Sequence, residues 1–128
     1  MDQEQKQIEK QFVVLYHEFP PGHDRSNHWD LMFEQDNTLA TWALDEMLQP
    51  GVSIEAIKLA PHRLDYLQYE GPVSGDRGSV SRVLEGTYRW KPGCDGQVAL
   101  LDVDAETWQV ELQQRSDAAT VVTVELIK

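Results

Sequence analysis

The stretch His28-Trp29-Asp30-Leu31-Met32-Phe33-Glu34 decides the fold that we expect. Apolar and polar residues alternate along it, which is typical of a β-strand because successive side chains of a strand point to opposite faces. The tryptophan, leucine and phenylalanine then face a core. On the other face, His28 and Asp30 are two residues apart and can converge on a divalent metal or a phosphate. The alternative is a half-buried strand whose polar face is simply hydrated.

The totals of the sequence limit the classes of protein. A chain of 128 residues is long enough for one domain with its own core. Its single cysteine, Cys94, excludes an internal disulfide and fits a reducing compartment. Because no apolar run has the length of a signal peptide or a membrane helix, we expect a cytoplasmic protein that does not bind membranes. The net charge of −11 argues against broad coating of a nucleic-acid backbone and leaves room only for a local contact.

The order of β-forming segments predicts an all-β fold. Residues 1–11 are polar and predict a flexible N-terminal arm, and residues 12–128 predict one domain. Residues 54–59 fit either a short strand or a helical turn, and residues 60–71 are expected to begin irregular and end extended because of Pro61. About eight short strands at near-regular spacing, with few short helical turns, indicate a small antiparallel β-barrel. The strands predicted most clearly are residues 12–17, 28–34, 38–44, 81–90, 97–103, 107–113 and 120–127.

Three of the four histidines lie close together in the sequence. His17, His23 and His28 fall within twelve residues around one predicted turn, next to Asp30, whereas His62 is distant. Two imidazoles and one carboxylate make a ligand set that leaves positions open for water and substrate, as catalytic metals require. The alternative is a polar surface patch without a ligand.

A series of short motifs resembles the 3′-phosphoesterase domain of bacterial DNA ligase D and its stand-alone relatives. The resemblance implies a β-barrel that uses a divalent metal, typically manganese, with zinc or cobalt as alternatives, to remove 3′-phosphates or 3′-terminal ribonucleotides from nucleic-acid ends in DNA repair. A smaller phosphoester is the alternative substrate. In order along the chain, the motifs are Phe12-Val13-Val14-Leu15-Tyr16-His17, His28-Trp29-Asp30-Leu31, Leu39-Ala40-Thr41-Trp42-Ala43, His62-Arg63-Leu64-Asp65-Tyr66, Tyr69-Glu70-Gly71 and Glu85-Gly86-Thr87-Tyr88.

The same resemblance assigns roles to individual residues. His17, His28 and Asp30 match the metal ligands, and His62 and Tyr66 match the residues that engage the phosphate. His23 also resembles the first histidine of the family, but His17 is favoured because the strand that precedes it matches.

The chain also departs from the family. The family's arginine after Asp-Leu is Met32 here, which removes a planar, permanently charged group expected to bind the phosphate. The loop before His28 is longer than in the family, and Leu44 begins a segment that does not follow the family's Val-Pro-Lys. Arg25 or Arg63 could supply the missing charge.

Three functions stay open from the sequence. The first is a metal-dependent phosphoesterase. The second is a catalytically degenerate member of the same fold that acts as a binding or interaction module, which Met32 and the acidity favour. The third is an iron oxygenase with His28, Asp30 and His62 as its metal triad, although such enzymes generally need a larger fold. The sequence names no protein partner.

Overall fold

Nine β-strands and one 3-10 turn form the regular structure of the residues that the structure describes. The structure is a computed structural model, and it describes residues 9–94, 97–116 and 119–128. The 3-10 turn spans Leu64–Leu67. The strands are β1 Lys10–Glu18, β2 His28–Glu34, β3 Thr38–Leu44, β4 Ser53–Arg63, β5 Gly71–Pro72, β6 Ser79–Trp90, β7 Val98–Val103, β8 Glu106–Gln114 and β9 Ala119–Leu126.

Eight of the strands close into an antiparallel barrel. Neighbouring strands follow the order β1-β2-β3-β4-β9-β8-β7-β6, and β6 also pairs with β1. The short strand β5 pairs with Ser79 and Val80 at the start of β6. Closure satisfies the backbone groups that an open sheet would leave unpaired at its edges. The predicted small antiparallel β-barrel is therefore confirmed.

The inner face of the barrel is apolar and rich in aromatic rings. Phe33 lies at its centre and makes edge-to-face contacts with Trp42 and Tyr88, whose ring centroids are 5.7 Å and 4.8 Å away. Leu31, Val14 and residues from every other barrel strand complete this core. The alternation predicted for β2 is thus present, with Leu31 and Phe33 fully buried inside.

A second apolar cluster lies on the outer face of the barrel wall. We call it the outer cluster, and a segment between β4 and β6 covers it with side chains from residues 64–73. This cover explains how the outer side of β1 and β2 is removed from solvent although it does not face the barrel core. The outer cluster consists of Val13, Leu15, Met32, Leu39 and Val80, covered by Leu64, Tyr66, Leu67 and Val73.

Irregularities in two strands shape this cover. The pairing of β1 with β6 shifts by one residue between Val14 and Leu15, so that Val83 is bulged out of the ladder. Strand β4 continues through Pro61, because a register shift opposite β3 leaves Pro61 outside the paired positions. The expectation that residues 60–71 begin irregular was therefore wrong, since they begin as a strand and then form the 3-10 turn.

Two further observations concern the start of the chain and the possibility of a membrane helix. Strand β1 begins at Lys10, and residues 1–8 of the predicted N-terminal arm lie outside the described residues. Across the described part of the chain, no helix has the length and apolar character needed to cross a membrane.

Candidate metal centre

The pairing of β1 with β2 brings the predicted ligands together. His17 lies directly opposite His28, and Leu15 lies opposite Asp30. Because Asp30 is two residues beyond His28, it shares the same outer face and lies diagonally across from His17. The three side chains thus meet at one end of a single hairpin.

The donor atoms of these three residues are close enough to share one ion. His28 Nε2 lies 3.0 Å from Asp30 Oδ1, and His17 Nδ1 lies 3.7 Å from Asp30 Oδ2. One donor atom from each residue can be chosen so that all lie within 4.8 Å of one another. Since metal bonds to imidazole or carboxylate are about 2.1 Å long, two ligands of one ion lie at most about 4.2 Å apart. Only a small closure would be needed.

Backbone carbonyls orient both imidazoles toward the carboxylate. His17 Nε2 is 2.6 Å from the carbonyl oxygen of Arg77, and His28 Nδ1 is 3.1 Å from that of Ser26. A ring N–H that donates to a carbonyl leaves the other ring nitrogen of a neutral imidazole as a lone pair. In this neutral tautomer both lone pairs would face Asp30. A ring N–H donated to a backbone carbonyl is the outer-sphere contact of many metal-bound histidines.

Asp30 supplies the test of whether a cation fits. The residue is 2% exposed, and no described residue makes a hydrogen bond to its Oδ1, although His28 Nε2 lies 3.0 Å away. A buried carboxylate oxygen without a donor is destabilising, as are lone pairs directed at one another. A cation placed among the three residues relieves both, so the residues present fit a divalent metal.

The pKa values at the cluster show the same electrostatic coupling. Burial alone would raise the pKa of Asp30, but the contacts and charge attraction that His17 and His28 offer in their protonated forms outweigh it, and the pKa is lowered. Burial alone would lower the pKa of His28, but Asp30 outweighs it and the pKa is raised. Asp30 is therefore an ionised, buried carboxylate, which is the form that binds metals.

The two predicted phosphate-binding residues line the same open cavity, which has a volume of about 480 Å³ and also holds the three ligands. His62 is at the end of β4, and its ring lies 5.8 Å from that of Tyr66 in the 3-10 turn. His62 Nδ1 is 3.0 Å from the carbonyl oxygen of Ala60, so its Nε2 is the nitrogen left for a ligand. The structure thus brings all five predicted site residues to one cavity.

Three arginines also line this cavity, in a protein with a net charge of −11. Arg25 and Arg63 were candidates from the sequence. Arg77 was missed, because it lies in the sequence Gly75-Asp76-Arg77-Gly78, which matches no motif of a binding site. Its position two residues before β6 and its carbonyl contact with His17 depend on the pairing of β1 with β6, which no local motif reveals.

The structure separates the two histidines that the sequence left ambiguous. His23 is exposed in the loop before β2, where its Nδ1 accepts a hydrogen bond from the backbone N–H of Arg25 at 3.0 Å. The three-residue cluster of possible ligands contains His17 and not His23. Met32 is 1% exposed and packs in the outer cluster beside the cavity.

Comparison with known proteins gives the family. Residues 22–123 match the model of the DNA Ligase D 3'-phosphoesterase domain. This range includes His28, Asp30, His62 and Tyr66, and it includes His23 but not His17. The assignment of His17 therefore depends on its geometry beside Asp30 and on the strand that precedes it.

Longer relatives show the same similarity. The chain is 33% identical over 82 residues to the multifunctional non-homologous end joining protein LigD of Mycobacterium bovis, covering 60% of this chain and 10% of that protein. It is 34% identical over 74 residues to the protein of the same name from Pseudomonas aeruginosa, covering 55% of this chain and 9% of that protein. The chain thus spans about a tenth of the length of the curated relatives that it matches. On the match to the family model, the chain belongs to the DNA ligase D 3'-phosphoesterase domain family.

Proposed function

We propose that the protein is a metal-dependent phosphoesterase that removes 3′-phosphates or 3′-terminal ribonucleotides from nucleic-acid ends during DNA repair. Membership of the family supports a role in DNA end processing. The observation that supports catalysis is the buried carboxylate of Asp30 between two oriented imidazoles, in a cavity that also contains His62 and Tyr66. Membrane association and iron-dependent oxygenation have no comparable support.

His17, His28 and Asp30 would hold the metal. Imidazole and carboxylate donors suit first-row divalent ions. The resemblance to the family makes manganese the proposed ion, with zinc and cobalt as alternatives. When bound, such an ion polarises phosphoryl oxygens and stabilises the charge that develops on them. The carbonyls of Arg77 and Ser26 keep both rings in the tautomer that presents a lone pair.

The other side chains of the cavity would act on the phosphate directly. His62 presents Nε2 to the cavity because its Nδ1 is committed to Ala60, and in its protonated form it can donate to a phosphoryl or leaving oxygen. The hydroxyl of Tyr66 adds a second donor beside it. Donors arranged before the reaction stabilise the transition state without reorganisation, and removal of one typically costs about 100- to 1000-fold in rate.

The test of activity uses an oligonucleotide primer with a 3′-phosphate or a 3′-ribonucleotide, incubated with Mn²⁺. We expect wild-type protein to release the terminal group, and we expect Asp30→Asn to release none above background. Asp36→Asn is the matched control, because Asp36 is exposed in the turn after β2 at the other end of the same strand. Equal release by wild type and Asp30→Asn would refute the proposal. A small aryl phosphate assayed in parallel tests the alternative substrate.

The choice between two histidines has its own test. Addition of Mn²⁺ broadens NMR signals of nearby nuclei, and we expect this effect to centre on His17, His28 and Asp30. His17→Ala should abolish the localised broadening, and His23→Ala should retain it. The reverse result would assign the first ligand to His23, as the range of the family match would allow.

A second function, that of a binding module without catalysis, is favoured by one observation. Met32 occupies the position of the family's arginine and is buried among apolar side chains. In that case the metal would bind and the 3′ end would be held, but no product would form with any of the three metals. Metal binding without release of the terminal group is the result that would establish it.

A further inference from the structure

The position that carries an arginine in related domains cannot supply a charge here. Met32 is 1% exposed and packs against apolar residues of the outer cluster, including Val13 and Leu39. Its side chain lines the cavity only as an apolar wall. If an arginine binds the 3′-phosphoryl group in this protein, that arginine must come from another segment.

One aromatic ring, that of Phe19, lies between Arg25 and the candidate metal ligand His17. Its guanidinium carbon is 5.2 Å from the centroid of the Phe19 ring, which is a cation–π contact. Phe19 is 6% exposed and stacks on His17, with centroids 4.2 Å apart and planes 19° apart. The Phe19 ring therefore fixes the position of a cation beside the His17 imidazole.

Hydrogen bonds hold the loop that carries Arg25. The backbone N–H of Phe19 donates to Asn27 Oδ1 at 2.7 Å, and Asn27 Nδ2 donates to the hydroxyl of Tyr16 at 3.2 Å. The N–H of Arg25 donates to His23 Nδ1 at 3.0 Å. These contacts order both ends of the loop and its middle, so less freedom is lost when Arg25 meets an anion.

No acid among the described residues forms an ion pair with Arg25. Within the described ranges, no carboxylate lies within 4.0 Å of its guanidinium, whereas Arg82 pairs with Glu70 and Glu85 at 3.7 Å and 3.2 Å. The guanidinium of Arg77 is held by Ser74 through hydrogen bonds of 2.8 Å and 3.2 Å. Arg25 thus keeps its nitrogens available for a ligand.

Arg25 also lies at the boundary between two cavities. It lines the cavity of the metal centre and a second, more apolar one of about 590 Å³. The second cavity reaches along β4 to Ile57 and β9, and it shares His28 with the first. A nucleic-acid strand whose 3′-phosphate lies at this boundary would have its reacting end in the cavity of the metal centre and its remaining nucleotides in the second cavity.

We propose that Arg25 binds the 3′-phosphoryl group of the substrate in place of the arginine that related domains carry at the position of Met32. The proposal rests on the proposed function for the identity of the ligand. An arginine matches a phosphate because its fork can donate two parallel hydrogen bonds and stays charged at any physiological pH. It comes from the loop that is longer here than in the family, so the loss of one arginine coincides with the gain of a segment that carries another.

The test measures binding and not turnover. Fluorescence anisotropy in EDTA compares one oligonucleotide bearing a 3′-phosphate with the same oligonucleotide bearing a 3′-hydroxyl. We expect wild type to bind the 3′-phosphate form about tenfold or more tightly, and Arg25→Met to lose this preference, because a hydrogen bond to a charged group is typically worth that much. Arg89→Met is the matched control, since Arg89 is a half-exposed arginine that pairs with Asp102 at 3.7 Å on another part of the barrel.

Two further variants sharpen the result. Arg25→Lys keeps the charge but not the fork, so it should recover part of the preference. Met32→Arg in the Arg25→Met background should restore it, provided that thermal melting shows the double variant to be folded, since position 32 is buried. Failure of Arg25→Met to change the ratio, or absence of any preference in wild type, would overturn the proposal. Loss of the preference in Arg25→Met together with inactive wild-type protein would refute hydrolysis alone.

Discussion

The two faces of the β1–β2 hairpin follow the same alternation but differ in how they are stabilised. The inner face packs Val14, Leu31 and Phe33 among the apolar and aromatic side chains of the barrel core. The outer face places His17 and Asp30 in a cluster with an unsatisfied, buried oxygen. Burial of apolar area stabilises the inner face, whereas the outer face retains a polar group that burial disfavours. Apolar residues on the inner face of the hairpin therefore stabilise the fold enough for a polar binding site to be retained on its outer face.

The largest expected effect is on the inner face. Phe33→Ala removes the ring that contacts Trp42 and Tyr88, and we expect it to lower the free energy of unfolding by about 3–5 kcal/mol. Urea denaturation measures this loss. A loss below about 1 kcal/mol would show that the barrel core does not depend on this ring, and the contrast between the two faces would fail.

Metal binding should raise the free energy of unfolding of the protein through the cluster on the outer face alone. At a Mn²⁺ concentration 100 times its Kd, we expect wild type to gain about 2.7 kcal/mol, because the ion binds the folded and not the unfolded chain. Asp30→Asn should gain nothing, and EDTA should reverse the gain. Thermal melting with and without Mn²⁺ makes the comparison. A gain in Asp30→Asn equal to that of wild type would place the ion elsewhere.

The backbone that supports the outer face can be tested at one glycine. Gly78 has φ +78°, and a Cβ built on it would lie 1.9 Å from the backbone oxygen of Glu18. We expect Gly78→Ala to cost about 2 kcal/mol or more in stability. It should also weaken Mn²⁺ binding, because it shifts the neighbouring Arg77, whose carbonyl orients His17.

Gly22→Ala is the matched control for this substitution. Gly22 has φ +83° but nothing within 4 Å of a built Cβ, so it tests backbone strain without the clash. Its expected cost is about 1 kcal/mol, with no change in Mn²⁺ binding. Equal effects of the two substitutions on metal binding would argue against support of His17 by the Gly78 loop.

The inner face could be predicted from the sequence because the alternation of apolar and polar residues within each strand is enough to identify it. Alternation in β2 and β3 gave both strands with their observed bounds, at residues 28–34 and 38–44. Strand β4 could not be predicted as one element, because residues 54–59 fit either a strand or a helical turn and Pro61 predicts an irregular start of the next segment. The register shift opposite β3 accommodates Pro61 within the strand. The two-residue strand β5 has no pattern long enough to detect.

The outer face could be predicted only in part. His28 and Asp30 share a face by spacing alone, but the approach of His17 depends on register, and that of His62 and Tyr66 depends on the segment after β4. The resemblance to the family supplied these residues. It gave Arg25 only as a possible source of charge and did not give Arg77, because their positions depend on how loops fold over the outer face in this chain.

The smallest expected effect compares Asp30 with a satisfied polar group on the inner face. The Tyr88 hydroxyl donates to the carbonyl oxygen of Glu34 at 2.7 Å, and burial raises the pKa of Tyr88 to about 12. Near neutral pH, Tyr88→Phe should cost about 1 kcal/mol, the usual net value of one hydrogen bond.

The raised pKa of Tyr88 also sets the direction of the pH dependence. The unfolded phenol ionises near pH 10, whereas the folded one keeps its proton up to about pH 12, so wild type loses stability across this interval and Tyr88→Phe has no such term. One pKa unit corresponds to about 1.4 kcal/mol, so the advantage of wild type over Tyr88→Phe should fall to about zero near pH 11. Urea denaturation of both proteins at pH 8 and pH 11 checks this. If the stability advantage of wild type over Tyr88→Phe were the same at pH 8 and pH 11, water would reach the hydroxyl of Tyr88. The inner face would then not exclude water, and the contrast between the two faces would fail.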